Sequence, residues 1–157
     1  MRSYDRADFE ANGLCTVWEQ ESLSFNRMAN TVRGLHFQLP PFVETKLVRV
    51  LNGAILDVFV DLRRDSASYG KWDSIELSVE NGLAVYIPAG FAHGFRSTAA
   101  DTLIEYKIDV PYFADKAGGI RWNDETLAVD WSVTEPVVSE RDSTLPFFAD
   151  FDSPFSI

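Results

Sequence analysis

The sequence predicts an all-β fold, a small antiparallel jelly-roll β-barrel with short helices at its periphery. Three observations carry that expectation. Short runs of β-forming residues recur between residues 46 and 107, several of them alternate apolar and polar positions, and Gly, Asn and Pro turns separate them. In chain order, Asp5 to Gly13 reads as a short helix closed by a glycine. Lys46-Leu-Val-Arg-Val-Leu51 reads as a strand, and the Asn52-Gly53 behind it is the strongest short hairpin signal. Ala54 to Leu62 alternates in part, with Asp57 and Asp61 on one face and Ile55 and Phe59 supplying apolar contacts. Ser74 to Val79 alternates cleanly and turns at Glu80-Asn81-Gly82. Ala84 to Ile87 and Thr102 to Tyr106 are further short strands, and the Phe- and Pro-rich stretch Asp142 to Ile157 is expected to pack on the barrel as a tail. Folds of this kind pair through their sheet edges, so a homodimer is expected.

The chain has 157 residues, the size of one domain with one core, here residues 1–157. Apolar residues make up 46% of it, enough for a sizeable core. The formal net charge of -10 argues against nucleic acid and anionic membranes as partners. An anionic substrate would need a local basic cluster to overcome the overall field. The one cysteine, Cys15, cannot make an internal disulfide or a Cys/His zinc cluster, and is expected to be a small buried apolar residue. The polar opening from Met1 to Glu10 does not read as a signal peptide, and no apolar run is long enough to span a bilayer. A cytoplasmic protein is the expectation.

Four segments can carry chemistry. In Arg33-Gly-Leu-His36-Phe-Gln38 the histidine titrates near neutral pH and can take a proton from carbon and return it, and the arginine suits a phosphate or keto oxygen. A histidine satisfied in the core is the competing reading. Gly82, five residues, Pro88-Ala-Gly90, two residues and His93 resemble the second motif of the cupin superfamily, which sets the histidine at a strand start facing the barrel mouth. Metal-binding cupins add an earlier His-x-His and a glutamate. This chain has two histidines, His36 and His93, and no His-x-His, which is a poor donor set for a redox metal. No metal and no cofactor are expected. Tyr106, in Glu105-Tyr106-Lys107, can act as an acid if its phenolate is stabilised, although isolated tyrosines are more commonly core residues. Ser139-Glu-Arg-Asp142 is a charged run whose interest depends on where Asp142 points.

Taken together, these segments resemble the dTDP-4-dehydrorhamnose 3,5-epimerase family of cupin-like sugar-nucleotide enzymes. The resemblance spans nearly the whole chain. It includes Trp18-Glu-Gln20, Arg33 to Gln38, Lys46-Leu-Val-Arg-Val50, Phe59-Val-Asp-Leu-Arg63, Tyr69-Gly-Lys-Trp72, Ile87 to Phe95 and Gly119-Ile-Arg-Trp122. It implies a cofactor-free epimerase acting at C3, C5 or both of a nucleotide-linked 4-keto-6-deoxyhexose, with a dTDP-linked sugar as substrate, in rhamnose-type deoxysugar synthesis. By the resemblance His36 is the base, Asp142 its orienting carboxylate, Tyr106 the acid on the opposite face, and Lys46 the cation beside the C4 oxygen. Arg33, Gln20, Ser22, Gln38, His93, Arg141 and Tyr112 match polar or aromatic positions around the sugar and diphosphate. The chemistry fits these residue types. A proton next to a ketone is acidic because the enolate spreads onto oxygen, which a cation stabilises, and inversion needs donor and acceptor on opposite faces. A cluster of Arg33, Lys46, Arg49 and Arg141 would offset two phosphate charges.

The family also carries a strand ahead of the matched region that crosses to a partner subunit, usually an asparagine where Ser22 stands, and often adjacent tyrosines where Pro111-Tyr112-Phe113 lies. These departures bear on which sugar is taken. The alternatives are a ketoisomerase of a related nucleotide sugar and a non-catalytic sugar-nucleotide binding cupin. Binding alone needs no acid/base set, which His36, Lys46, Tyr106 and Asp142 together supply.

Overall fold

A computed structural model describes residues 2–157. The N-terminal helix α1 (Arg6–Ala11) starts where the Asp5 carboxylate accepts the Ala7 amide at 2.9 Å, satisfying a backbone donor that the helix leaves open. It stops before Gly13, which takes φ +67, as a C-terminal glycine readily does. Ten strands follow: β1 (Gln20–Asn26), β2 (Thr31–Gln38), β3 (Lys46–Asn52), β4 (Ala54–Asp61), β5 (Trp72–Ser78), β6 (Ala84–Ile87), β7 (Phe91–Ser97), β8 (Thr102–Ile108), β9 (Ala117–Gly119) and β10 (Val137–Val138). A second short helix, α2 (Glu140–Ser143), is capped by Ser139. The strands form two sheets, one in the order β1-β8-β3-β6 and one in the order β10-β2-β7-β4-β5, with β9 pairing β2 as well. All pairings are antiparallel except β10 with β2. This is the expected all-β jelly roll with short peripheral helices. No helix of the described residues is long and apolar enough to cross a membrane.

Two apolar cores lie on opposite faces of the larger sheet. Between the sheets, Val48 and Val50 of β3 and Ile104 of β8 meet Ile55, Leu77 and Phe95 from the facing sheet. On the outer face, Val32, Leu35, Val58 and Val60 pack against Ile120, Leu127, Trp131 and Phe155 from the C-terminal third. The tail covers the barrel as its Phe content predicted, with Phe155 only 3% exposed. This double cover also explains why β4 alternates only in part. Ile55, Asp57 and Phe59 face the barrel interior, Leu56, Val58 and Val60 face the tail, and both sides are buried.

The Asn-Gly expectation is corrected. The hairpin signal joins β3 to β4, but these strands lie in different sheets, β3 between β8 and β6 and β4 between β7 and β5. Asn52-Gly53 is a corner between sheets rather than a hairpin. It is pinned from outside, because Asn52 Nδ2 donates to the Asp101 carbonyl at 2.7 Å, and a Cβ on Gly53 would sit 2.4 Å from Thr102 Oγ1. Cys15 also departs from expectation, being half-buried with its Sγ 3.1 Å from the Val17 carbonyl.

One irregularity decides what β2 can present. Its register against β7 shifts between Arg33 and His36. In a regular strand residues three apart face opposite sides. The bulge reverses that parity, so Arg33 and His36 both line the barrel interior while Leu35 turns into the outer core. Gly34 makes the close approach possible at φ +123, where a Cβ would lie 2.6 Å from Gly94 Cα on the neighbouring strand.

Candidate active site

The interior cavity has a volume of about 190 Å³ and is lined from both sheets. Ser22 on β1, Lys46 on β3, and Tyr106 and Ile108 on β8 come from the smaller sheet. Arg33 and His36 on β2, with His93, Gly94 and Phe95 on β7, come from the larger one. A second lobe of about 160 Å³ shares His36, Lys46 and Ile108, and adds Gln38, Glu44, Tyr112 and Arg141. His36 and Tyr106 thus stand on facing walls of one space.

His36 Nε2 lies 2.6 Å from Asp142 Oδ1. The partners come from β2 and α2, which packs against it. Asp142 is buried at 1% exposure, whereas the His36 side chain keeps 33% of its surface open. Burial alone would raise the Asp142 carboxyl. The His36 contact outweighs it, with help from Ser139 and the Gly34 backbone, and holds the group below its usual value. With Nε2 committed to the carboxylate, Nδ1 is the ring nitrogen left for chemistry.

A second pair stands deeper. His93 Nε2 lies 2.7 Å from Asp57 Oδ1, at 5% and 0% side-chain exposure. The His93 ring meets Tyr106 edge-on, with centroids 6.0 Å apart. Burial first, and then the charge of Asp57, push the Tyr106 phenol well above its ordinary value, against an opposing pull from Arg33. Tyr106 is therefore a protonated donor throughout the neutral range.

The basic groups divide. Lys46 Nζ is 2.6 Å from Glu44 Oε2. Arg33 and Arg141 line the two lobes, and among the described residues neither has a carboxylate in salt-bridge range. Arg49 is a correction to the expected cluster. It alternates to the outer face of β3 and pairs with Glu105 at 2.5 Å, so it lines neither lobe. Gln20 also lines neither lobe, because its amide donates to the Val110 carbonyl at 2.8 Å. Gln38 lines the second lobe and is 1% exposed; its Oε1 accepts the Phe113 amide at 2.7 Å and its Nε2 donates to Pro111 O at 3.1 Å, fixing the loop that carries the exposed Tyr112. Two site residues escaped sequence reasoning in their roles, Asp57 as the partner of His93 and Glu44 as the partner of Lys46. A carboxylate flanked by Ile55 and Phe59 on a doubly buried strand was the available signal for the first. Among the described residues no group of three or more His, Cys, Asp or Glu is placed to hold a metal ion.

The barrel and its lining define a jelly-roll site of the acid–base class, with a histidine–carboxylate pair and a tyrosine across one cavity. The family model described as dTDP-4-dehydrorhamnose 3,5-epimerase matches residues 1–150, and the chain belongs to that family. It is 47% identical over 137 residues to a dTDP-4-dehydrorhamnose 3,5-epimerase of Sinorhizobium fredii, covering 87% of this chain and 70% of the relative. Among solved structures, the epimerase of that name from Bacillus anthracis, with TDP and pyrophosphate bound, superposes with a TM-score of 0.92 at 42% identity, covering 94% of this chain and 84% of that one. A dTDP-6-deoxy-D-glucose-3,5-epimerase from Legionella pneumophila, in complex with dTDP-4-keto-L-rhamnose, superposes with a TM-score of 0.90 at 33% identity, covering 96% of this chain and 80% of that one.

Proposed function

We propose that this chain, a single domain over residues 1–157, epimerises a dTDP-linked 4-keto-6-deoxyhexose at C3, C5 or both, as a cytoplasmic homodimer in deoxysugar synthesis. The observation that carries the reading is the placement of the His36–Asp142 pair and Tyr106 on opposite walls of one cavity. His36 removes the proton next to the ketone. The electron pair moves onto the C4 oxygen, where the Lys46 ammonium stabilises it, typically the largest contribution to such a reaction. Tyr106 then returns a proton from the other face, which inverts the carbon. His36 ends with the proton taken from carbon and Tyr106 ends as a phenolate. The imidazole gives its proton up through its solvent-open side, and the phenolate takes one from water once product leaves. Asp142 keeps the imidazole oriented and stabilises its charged form. Arg33 and Arg141, free of carboxylate partners in the site, suit a diphosphate despite the net charge of -10. For the dimer, support comes from Leu23 and Phe25, 62% and 58% exposed on the outer face of edge strand β1. Light scattering checks that mass.

The test is incubation with dTDP-4-keto-6-deoxyglucose in heavy water, read by NMR. Deuterium at C3, C5 or both is expected and names the regiochemistry. A folded protein that leaves both carbons protonated contradicts the proposal.

A further inference from the structure

We infer that Glu44 is a positioning residue for this reaction, holding the Lys46 ammonium at the junction of the two lobes through its carboxylate charge. The inference rests on the epimerase reading above. Lys46 lines both lobes, whereas Glu44 lines only the second, so the carboxylate grips the ammonium from the side away from Tyr106. The two side chains are 9% and 11% exposed, and their 2.6 Å contact joins residues two apart on one face of the chain entering β3. Glu44 Oε2 is sealed from solvent and takes no directional hydrogen bond; the ammonium charge is its compensation.

The anchor is itself fixed. The Thr45 amide donates to Asp109 Oδ1 at 2.7 Å, and the Phe42 ring stacks on Phe113 with centroids 3.9 Å apart. Gln38 ties the same Pro111–Phe113 loop from within. A lysine side chain has a long flexible stem and a point charge, so it delivers its field to one oxygen only if something holds its end. Because Glu44 Oε2 holds the ammonium by charge and takes no directional hydrogen bond, the ammonium hydrogens remain for the oxygen on which the enolate charge develops. What matters in this arrangement is the negative charge at that point, more than an acceptor.

The test compares deuterium wash-in rates and dTDP affinity in Glu44→Ala, Glu44→Gln and Lys46→Met variants and in the Glu44→Ala/Lys46→Met double variant. The expected result is a loss of wash-in of about ten- to a hundredfold in Glu44→Ala, the scale of misplacing one catalytic group, with dTDP affinity within about twofold of native. Glu44→Gln, which keeps the size and loses the charge, falls with Glu44→Ala, and Glu44→Ala adds nothing in the Lys46→Met background. A native rate in Glu44→Ala or Glu44→Gln overturns the inference, as does an equal loss with and without Lys46, or a fall in dTDP affinity matching the fall in rate. If Glu44→Ala does not fold, Glu44→Asp, one methylene shorter, is expected to give a partial loss, and native rates there overturn the inference. Absence of wash-in by the unmodified chain is a different result, since it defeats the epimerase reading itself.

Discussion

The chain holds two histidine–aspartate pairs of nearly equal length, 2.6 Å for His36–Asp142 and 2.7 Å for His93–Asp57, in opposite circumstances. One keeps a third of its imidazole open beside a short capped helix. The other is sealed between β4 and β7, the histidine 5% and the aspartate 0% exposed. The same chemistry therefore serves two ends. A pair that can meet substrate and exchange protons with water can act as a base. A pair almost closed to solvent holds a wall of the cavity and tunes its neighbour, here Tyr106, by charge. Exposure, rather than the presence of a dyad, separates the two.

The comparison can be broken in several places. His36→Ala is expected to abolish proton exchange at every sugar position while the melting curve stays cooperative; exchange persisting at native rates removes His36 from the mechanism. Tyr106→Phe is expected to slow formation of the inverted sugar by about 10²–10⁴-fold, the usual worth of a positioned acid, while hydrogen loss at C3 continues. Equal rates in mutant and native enzyme mean that the tyrosine is structural. In the buried pair the largest effect falls on stability. Asp57→Ala strands a buried histidine and is expected to cost about 2 kcal/mol in denaturant unfolding, the scale for leaving a buried hydrogen-bonding group unpaired, whereas a loss below ~0.5 kcal/mol would mark the site as more hydrated than its burial implies.

The smallest effect is the pH dependence of the open pair. Asp142 is held below its ordinary value when folded, so its contribution is present above the unfolded value, near 4, and is lost as pH falls through the folded one. Native protein should lose about 1.5 kcal/mol more than Asp142→Asn on acidification below pH 4, near the low end for a hydrogen bond to a charged group because His36 is part-exposed. Parallel acid profiles for the two proteins would show that the pair contributes nothing to the fold. On the alkaline side, Tyr106 is raised, so its ionisation should leave activity unaffected up to about pH 10.

Much of this was legible in the residues. The β-forming runs and their turns gave β3, β4, β5, β6 and β8, and Phe-rich residues 142–157 pointed to a covering tail. The spacing around His93 and the Arg33–Gln38 segment led to the cavity. What stayed hidden was three-dimensional register. Asn52-Gly53 has the composition of a hairpin, but only packing against Thr102 makes it a corner between sheets. Arg33 and His36 are three apart, and only the bulge beside Gly34 turns both inward. Arg49 stood with the basic residues until alternation along β3 sent it outward to Glu105. Asp57 and His93 are 36 residues apart, and their pairing follows from β4 lying against β7.

The most direct test sets the two aspartates side by side, as asparagine variants, measuring position-resolved deuterium incorporation into dTDP-4-keto-6-deoxyglucose. The account predicts that Asp142→Asn loses about 10²–10⁴-fold in wash-in, because the base loses its orienting charge, while Asp57→Asn stays within about tenfold of native and instead unfolds at lower denaturant. The reverse pattern, with exchange surviving in Asp142→Asn and collapsing in a folded Asp57→Asn, would make the buried pair the catalytic one and contradict the assignment of His36 as the base.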